Sequence, residues 1–128
     1  MDYNELMEKA KKVSENSYSP YSHFPVGACV LAESGKTYIG TNVENASYGG
    51  TICAERNAIL NAVANGERKI TAVAIYGPKM KRCAPCGLCR QVISEFRSDK
   101  GVDIILEAED GGLEIHTIDE LLPMSFNL

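Results

Sequence analysis

The chain has 128 residues, 45% hydrophobic and 23% charged, the proportions of an ordinary globular domain able to bury a core without staples. Thirteen basic against seventeen acidic residues leave a net charge of −4, which argues against a nucleic-acid-binding protein; no apolar run approaches the ~20 residues that span a bilayer. Five cysteines, an odd count, disfavour a disulfide framework, and the charged N-terminus MDYNELMEKAKK is no secretory signal, so the expected setting is cytoplasmic, with reduced thiols available for metal or redox chemistry.

Along residues 2–16, Leu6, Ala10 and Val13 recur at helical spacing and predict a first helix. SYSPYSHFP (17–25) is a loop punctuated by Pro20 and Pro25. VGACVLAE and TYIGTNV are β-rich runs joined by SGK, the pattern of a hairpin. After the loop ENASYGGTI, a helix is predicted from about Cys53 to Asn65, with Gly66 placed as its C-terminal stop. ITAVAIYG (70–77) is almost continuously apolar, as for a strand buried on both faces. PKMKRCAP leads to a helix over about Cys86–Arg97, VDIILEA to a buried strand, and DGG to the strand LEIHTI, which so short a turn makes antiparallel to its predecessor. A short helix DELL and an irregular tail PMSFNL follow. The order α-ββ-α-β-α-ββ-α, with two strand–helix crossovers, predicts parallel pairing mid-sheet. The architecture is then a single α/β domain over residues 1–128: a three-layer α/β/α sandwich around a five-stranded mixed sheet.

TICAERNAIL (51–60) poses the chemical question. Cysteine is a poor helix cap, and a carboxylate beside a thiol opposes its ionisation, yet Cys53 opens a helix with Glu55 two residues on. RCAPCGLCRQVI repeats the pattern, with Cys86 and Cys89 three apart at a second helix start and so on one face. A C-x-x-C pair is either a redox pair or half of a zinc site. The redox reading leaves Cys53 and Glu55 without a task. If the two helix N-termini converge, their partial positive charge favours thiolates, and three thiolates around one Zn²⁺ follow.

The ligand count separates a structural from a catalytic metal: four protein ligands close a site, three leave a corner for water. Cys29, alternating with apolar strand residues, reads as a core thiol; His23 lies in a loop and His116 in a strand. Cys83 is the rival, since C-x-x-C-x-x-C plus Cys53 makes a closed Cys₄ site that spacing alone does not exclude. Glu55 favours the open site. Beside four thiolates its charge is costly and idle; beside three it can take a proton from the metal's water. Arg56 and Arg90, each shortly after a candidate ligand, are placed to offset the thiolate charge.

CAER followed some thirty residues later by PCGLCRQ resembles the zinc-dependent cytidine/deoxycytidylate deaminase superfamily, whose metal site and glutamate acid–base are a known pattern. Cysteine at 53, where nucleic-acid deaminases carry histidine, is similar to the small homotetrameric cytidine deaminases, as are YSPYSHFPVGA, NVENASY and ELLP in that order. The resemblance covers nearly the whole chain. It implies a cytidine deaminase-like fold with one Zn²⁺ per subunit on Cys53, Cys86 and Cys89, and Glu55 as proton shuttle. Phe24 would pack on the pyrimidine, Asn42 and Glu44 would hydrogen-bond the ribose hydroxyls, and the Ala54 N–H would bind the base carbonyl. Tyr48 and Phe126 would reach a neighbouring subunit's site. The implied activity is hydrolytic deamination of cytidine and 2′-deoxycytidine to uridine and 2′-deoxyuridine plus ammonia, in pyrimidine salvage. The partners are a small-molecule nucleoside and further copies of the chain, with no nucleic acid or membrane. A deaminase of another small molecule, such as blasticidin S, is the alternative on the same fold. A non-catalytic module with a structural Cys₄ zinc is the alternative of another class. Cys83 is a thiol the family's site does not require, and the tail beyond ELLP is short.

Overall fold

The computed structural model describes residues 1–128. Helix α1 (Tyr3–Ser14) begins where the Asp2 side chain accepts the Asn4 N–H at 2.9 Å, and carries Lys11 and Lys12 in its last turn, where they complement the helix dipole. Strands β1 (Gly27–Ala32) and β2 (Thr37–Thr41) form the hairpin expected of their sequence, its turn passing through Gly35 at φ +91°. Helix α2 (Ala54–Ala64), strand β3 (Ile70–Tyr76), helix α3 (Gly87–Glu95), strands β4 (Asp103–Glu107) and β5 (Leu113–Thr117), and helix α4 (Ile118–Leu121) complete the chain.

The sheet order is β2-β1-β3-β4-β5. Strand β1 is antiparallel to both its neighbours, β3 and β4 are parallel, and β5 is antiparallel to β4. Parallel pairing thus occurs once, across α3. The α2 crossover also joins strands of one direction, but β1 lies between them, so β2 and β3 never touch. The sheet is mixed and five-stranded, with helices on both faces. Leu6, Met7 and Ala10 of α1 pack on Cys29, Ala72, Ala74 and Ile105 on one face. On the other, Ala58, Ile59, Ile93 and Ile118 from α2, α3 and α4 pack on Val30, Val73, Ile75 and Ile104. The alternation of neighbours such as Cys29 and Val30 between two cores is the period-2 pattern of a strand covered on both sides.

Two glycines set how closely the helices approach. A Cβ at Gly27 would lie 2.0 Å from the Ala10 carbonyl oxygen, and one at Gly40 would lie 2.3 Å from the Ala58 amide nitrogen. The first admits α1; the second lets the start of α2, where Cys53 and Glu55 reside, lie directly on β2.

Both cysteine-led helices begin one residue later than the sequence suggests. Cys53 (ψ 155°) and Cys86 (ψ 170°) are extended N-cap residues whose side chains make no capping bond. Helix α3 also stops at Glu95 rather than Arg97, because the following backbone is taken by the sheet: Ile70 N–H donates to Phe96 O at 2.7 Å, and Ser98 N–H donates to Ile70 O at 3.0 Å.

Candidate active site

Helices α2 and α3 meet with their N-termini together on one face of the sheet. The Sγ atoms of Cys53, Cys86 and Cys89 all lie within 4.8 Å of one another, and no other Cys, His, Asp or Glu joins them. Cys89 is buried in the first turn of α3, Cys53 is half-buried and Cys86 is exposed to the cleft. Caps that ignore their own helices leave two sulfurs free, and each helix start still offers unpaired N–H groups. The Cys53 thiol is held well below the ordinary thiol range, chiefly by a hydrogen bond from Cys89 and then by Arg56, while the Cys89 proton is correspondingly hard to remove. Three sulfurs facing one another at this distance are a donor set that a soft divalent cation suits. The residues fit one Zn²⁺ held by three protein ligands, with no fourth thiol, imidazole or carboxylate among them.

Cys83 does not belong to this group. It is 8% exposed, lines the floor of the same cleft against the apolar core, and burial pushes its thiol up to about 11. Its sulfur is not among those that lie within 4.8 Å of one another, so the closed Cys₄ arrangement is absent. Cys29 is fully buried in the opposite core, as its strand alternation indicated.

Glu55, in the first turn of α2, is 5% exposed and contributes no atom to the metal cluster. Burial pushes its carboxyl up to about 7, the Cys53 charge adding to the rise and its own backbone N–H opposing it. A carboxyl poised near neutrality gives and takes protons with little driving force lost in either direction. Arg56 donates from Nη2 to Cys53 Sγ at 3.5 Å and to Thr51 O at 3.4 Å, while its buried Nε has no partner. Arg90, expected to offset the same charge, is turned away from the sulfurs. Its Nε donates to Pro85 O at 2.8 Å and its Nη1 to Leu121 O at 2.7 Å, so it braces the Cys86 loop against α4.

A cleft of about 400 Å³ opens over the cysteines, walled by Phe24, Asn42, Glu44, Ala54, Glu55 and Cys86. Its far wall is a double layer in which loop 17–26 is laced to segment 42–44. Asn42 Oδ1 accepts the Val26 N–H at 2.9 Å and a proton from Ser17, and its Nδ2 donates to Phe24 O at 2.8 Å. One Asn42 N–H therefore remains for a ligand. Glu44 Oε1 accepts the N–H groups of Tyr21 and Ser22 at 2.9 and 3.1 Å, and Oε2 accepts from the Ser22 hydroxyl. The Ser22 bond, first among these, holds the Glu44 carboxyl below the usual range. Phe24 is half-buried against the core. Ala54 is buried, and as the first residue of α2 its N–H has no partner within the helix.

Tyr48 and Phe126 stand apart from these walls, 79% and 67% exposed. Tyr48 makes an edge contact with the Tyr21 ring at 6.2 Å, and Phe126 is tethered through its carbonyl, which accepts from Gln91. Ser22 was absent from the sequence-derived site; the available signal was a small hydroxyl residue two places before Phe24 in a proline-flanked turn, a position where serine bonds nearby backbone.

A three-sulfur metal corner at two helix N-termini, beside a buried carboxyl in an α/β/α sandwich, defines a zinc-dependent hydrolytic enzyme. Comparisons with known proteins narrow the class. Residues 1–104 match the family model described as the cytidine and deoxycytidylate deaminase zinc-binding region. The cytidine deaminase of Sporosarcina psychrophila is 43% identical over 99% of this chain and 93% of its own, and that of Halalkalibacterium halodurans 40% identical over 98% and 95%. The crystal structure of cytidine deaminase from Burkholderia pseudomallei superposes with a TM-score of 0.90 at 41% identity, covering 98% of this chain and 100% of that one. The chain belongs to the cytidine and deoxycytidylate deaminase family.

Proposed function

We propose that the chain hydrolytically deaminates cytidine and 2′-deoxycytidine, releasing ammonia and leaving uridine and 2′-deoxyuridine, as a step of pyrimidine salvage. The observation that carries this reading is the juxtaposition of three mutually facing sulfurs, with no fourth ligand among them, and the buried Glu55 carboxyl. Cys53, Cys86 and Cys89 would hold a Zn²⁺, which when bound would supply the Lewis acidity that makes water nucleophilic near neutral pH. Glu55 takes the proton that water sheds as it attacks C4, passes it to N3, and then helps protonate the amino group that leaves as ammonia. One carboxyl handles each transfer in turn, which its raised affinity for protons suits. Arg56, bonded to Cys53, offsets the negative charge of the sulfurs.

Substrate orientation follows from the walls. Phe24 packs on the pyrimidine, the Ala54 N–H donates to the base carbonyl, and Asn42 and Glu44 hold the ribose hydroxyls with the donor and acceptor capacity their loop contacts leave over. Tyr48 and Phe126, both largely exposed, are offered to neighbouring copies, so that a homotetramer completes each site. A single folding unit spanning 1–128 and a cytoplasmic location complete the reading; no helix is long and apolar enough to cross a membrane.

Loss of cytidine absorbance, followed with and without a tight zinc chelator, tests the core of this reading. Turnover should vanish with chelator and return with added Zn²⁺; turnover indifferent to chelation would refute it. In a substrate panel, cytidine and 2′-deoxycytidine should be turned over well, and free cytosine and blasticidin S poorly, because polar partners left empty in the ribose wall penalise ligands without the hydroxyls. Sedimentation at micromolar concentration should give a tetramer; a fully active monomer contradicts the shared-site arrangement.

A further inference from the structure

The residue that joins the two parts of the far wall is Ser22. Its hydroxyl donates to Glu44 Oε2 and accepts the Phe24 N–H at 3.1 Å, while its own N–H donates to Glu44 Oε1 at 3.1 Å. One side chain thus fixes the carboxylate that faces the cleft and the backbone that carries the aromatic ring beside it. A serine hydroxyl has a single proton, and here it is given to Glu44, so Ser22 acts on a ligand through its neighbours. Glu44 already accepts three hydrogen bonds, and a carboxylate has about four acceptor positions. One position is left over, and its direction is set by the three that are filled. The other hydroxyls of this loop do no such bridging: Ser17 bonds Ser19 and Asn42, and touches neither Glu44 nor Phe24.

We propose that Ser22 is a positioning residue for sugar selectivity: by tying Glu44 to the backbone of Phe24, it aims the one free acceptor of Glu44 at the 3′-hydroxyl of the bound nucleoside. The 3′-hydroxyl is singled out because cytidine and 2′-deoxycytidine share it. The inference rests on the reading of Glu44 as a ribose acceptor, and adds what sets its aim.

The test compares wild type, Ser22→Ala and Ser22→Thr, each with zinc content measured, on cytidine and 3′-deoxycytidine. Wild type should favour cytidine in kcat/KM. Ser22→Ala should raise KM for cytidine about tenfold, the effect of one hydrogen bond to a charged group, with kcat within about twofold. Its turnover of 3′-deoxycytidine should hardly change, so discrimination between the two collapses. Ser22→Thr, which keeps the hydroxyl, should restore both KM and discrimination. An unchanged KM in Ser22→Ala, or an equal loss on both substrates, overturns the role of Ser22 while leaving that of Glu44 intact. A wild type that does not distinguish the two nucleosides removes the ribose role of Glu44, and the inference falls with it.

Discussion

The two walls of the cleft are held by different means. At the far wall, loop 17–26 is bound to residues 42–44 by a closed set of bonds, with Asn42 on Val26 and Phe24 and Glu44 on Tyr21 and Ser22, all made within the chain. At the metal wall, Cys53 and Cys86 leave their helices uncapped, and their sulfurs lie with that of Cys89 within 4.8 Å of one another, a set that a cation would satisfy. The far wall is therefore finished by the fold, whereas the metal wall is finished by its ion. Recognition and chemistry are separable in such a site, and perturbations of one should leave the other largely standing.

Removing the metal is the largest perturbation. Activity should fall below detection in the chelated protein while far-UV circular dichroism stays native, because both apolar cores form without the three ligands. Collapse of the spectrum would show that the ion also holds the fold. Glu55→Gln comes next, costing about 10⁴-fold in kcat with stoichiometric zinc retained and cytidine affinity within a few-fold of wild type; near-normal turnover would remove Glu55 from its role. Asn42→Ala attacks the opposite wall. Stranding the Val26 N–H and the Phe24 carbonyl should lower stability by about 2 kcal/mol in denaturant titration and raise KM more than it lowers kcat.

Cys83→Ser should be milder, because it touches neither wall's bonding. A hydroxyl placed in an apolar cluster costs about 1–2 kcal/mol, and zinc should be retained at one per chain. Loss of zinc in that variant would reinstate Cys83 as a ligand. The smallest effect lies on the edge strand β5, where His116 sits between Glu114 and Glu120, with Arg82 also bonded to Glu114. The hydrogen bond it donates to Glu114 first, then that to Glu120, raise the His116 pKa. Its contribution is complete below the unfolded value of about 6.5 and is lost as pH rises through the raised folded value. For so accessible a ring this amounts to less than about 1 kcal/mol. NMR titration of His116 should show a pKa above that of an unfolded histidine, and the stability gap between wild type and His116→Gln should narrow from pH 5.5 to pH 8.

Much of this was legible in residue order. Helical spacing in 2–16, alternation through Cys29 and Val30, and the apolar run at 70–77 identify their elements because backbone periodicity is a local property. The convergence of Cys53 with Cys86 and Cys89 was legible too, since thiols at two helix starts have few other uses. Helix ends were less so: α3 is cut short at Glu95 by a strand some twenty-five residues earlier, which no local window contains. Arg90 reads in sequence as a charge beside a ligand, yet its direction depends on α4, thirty residues on. Ser22 is one of several serines in its loop, distinguished only by the carboxylate the fold sets over it.

Short-range chemistry thus settled which elements form, in which order, and which reactive side chains stand at their starts. Long-range packing settled the rest. It put β1 between β2 and β3, buried Cys83 while its neighbour Cys86 stays exposed, and set Glu44 against Ser22. Periodicity and charge act over a few residues, but which of two nearby sulfurs meets a third depends on how two helices seat on one sheet, with Gly40 governing the approach of the first.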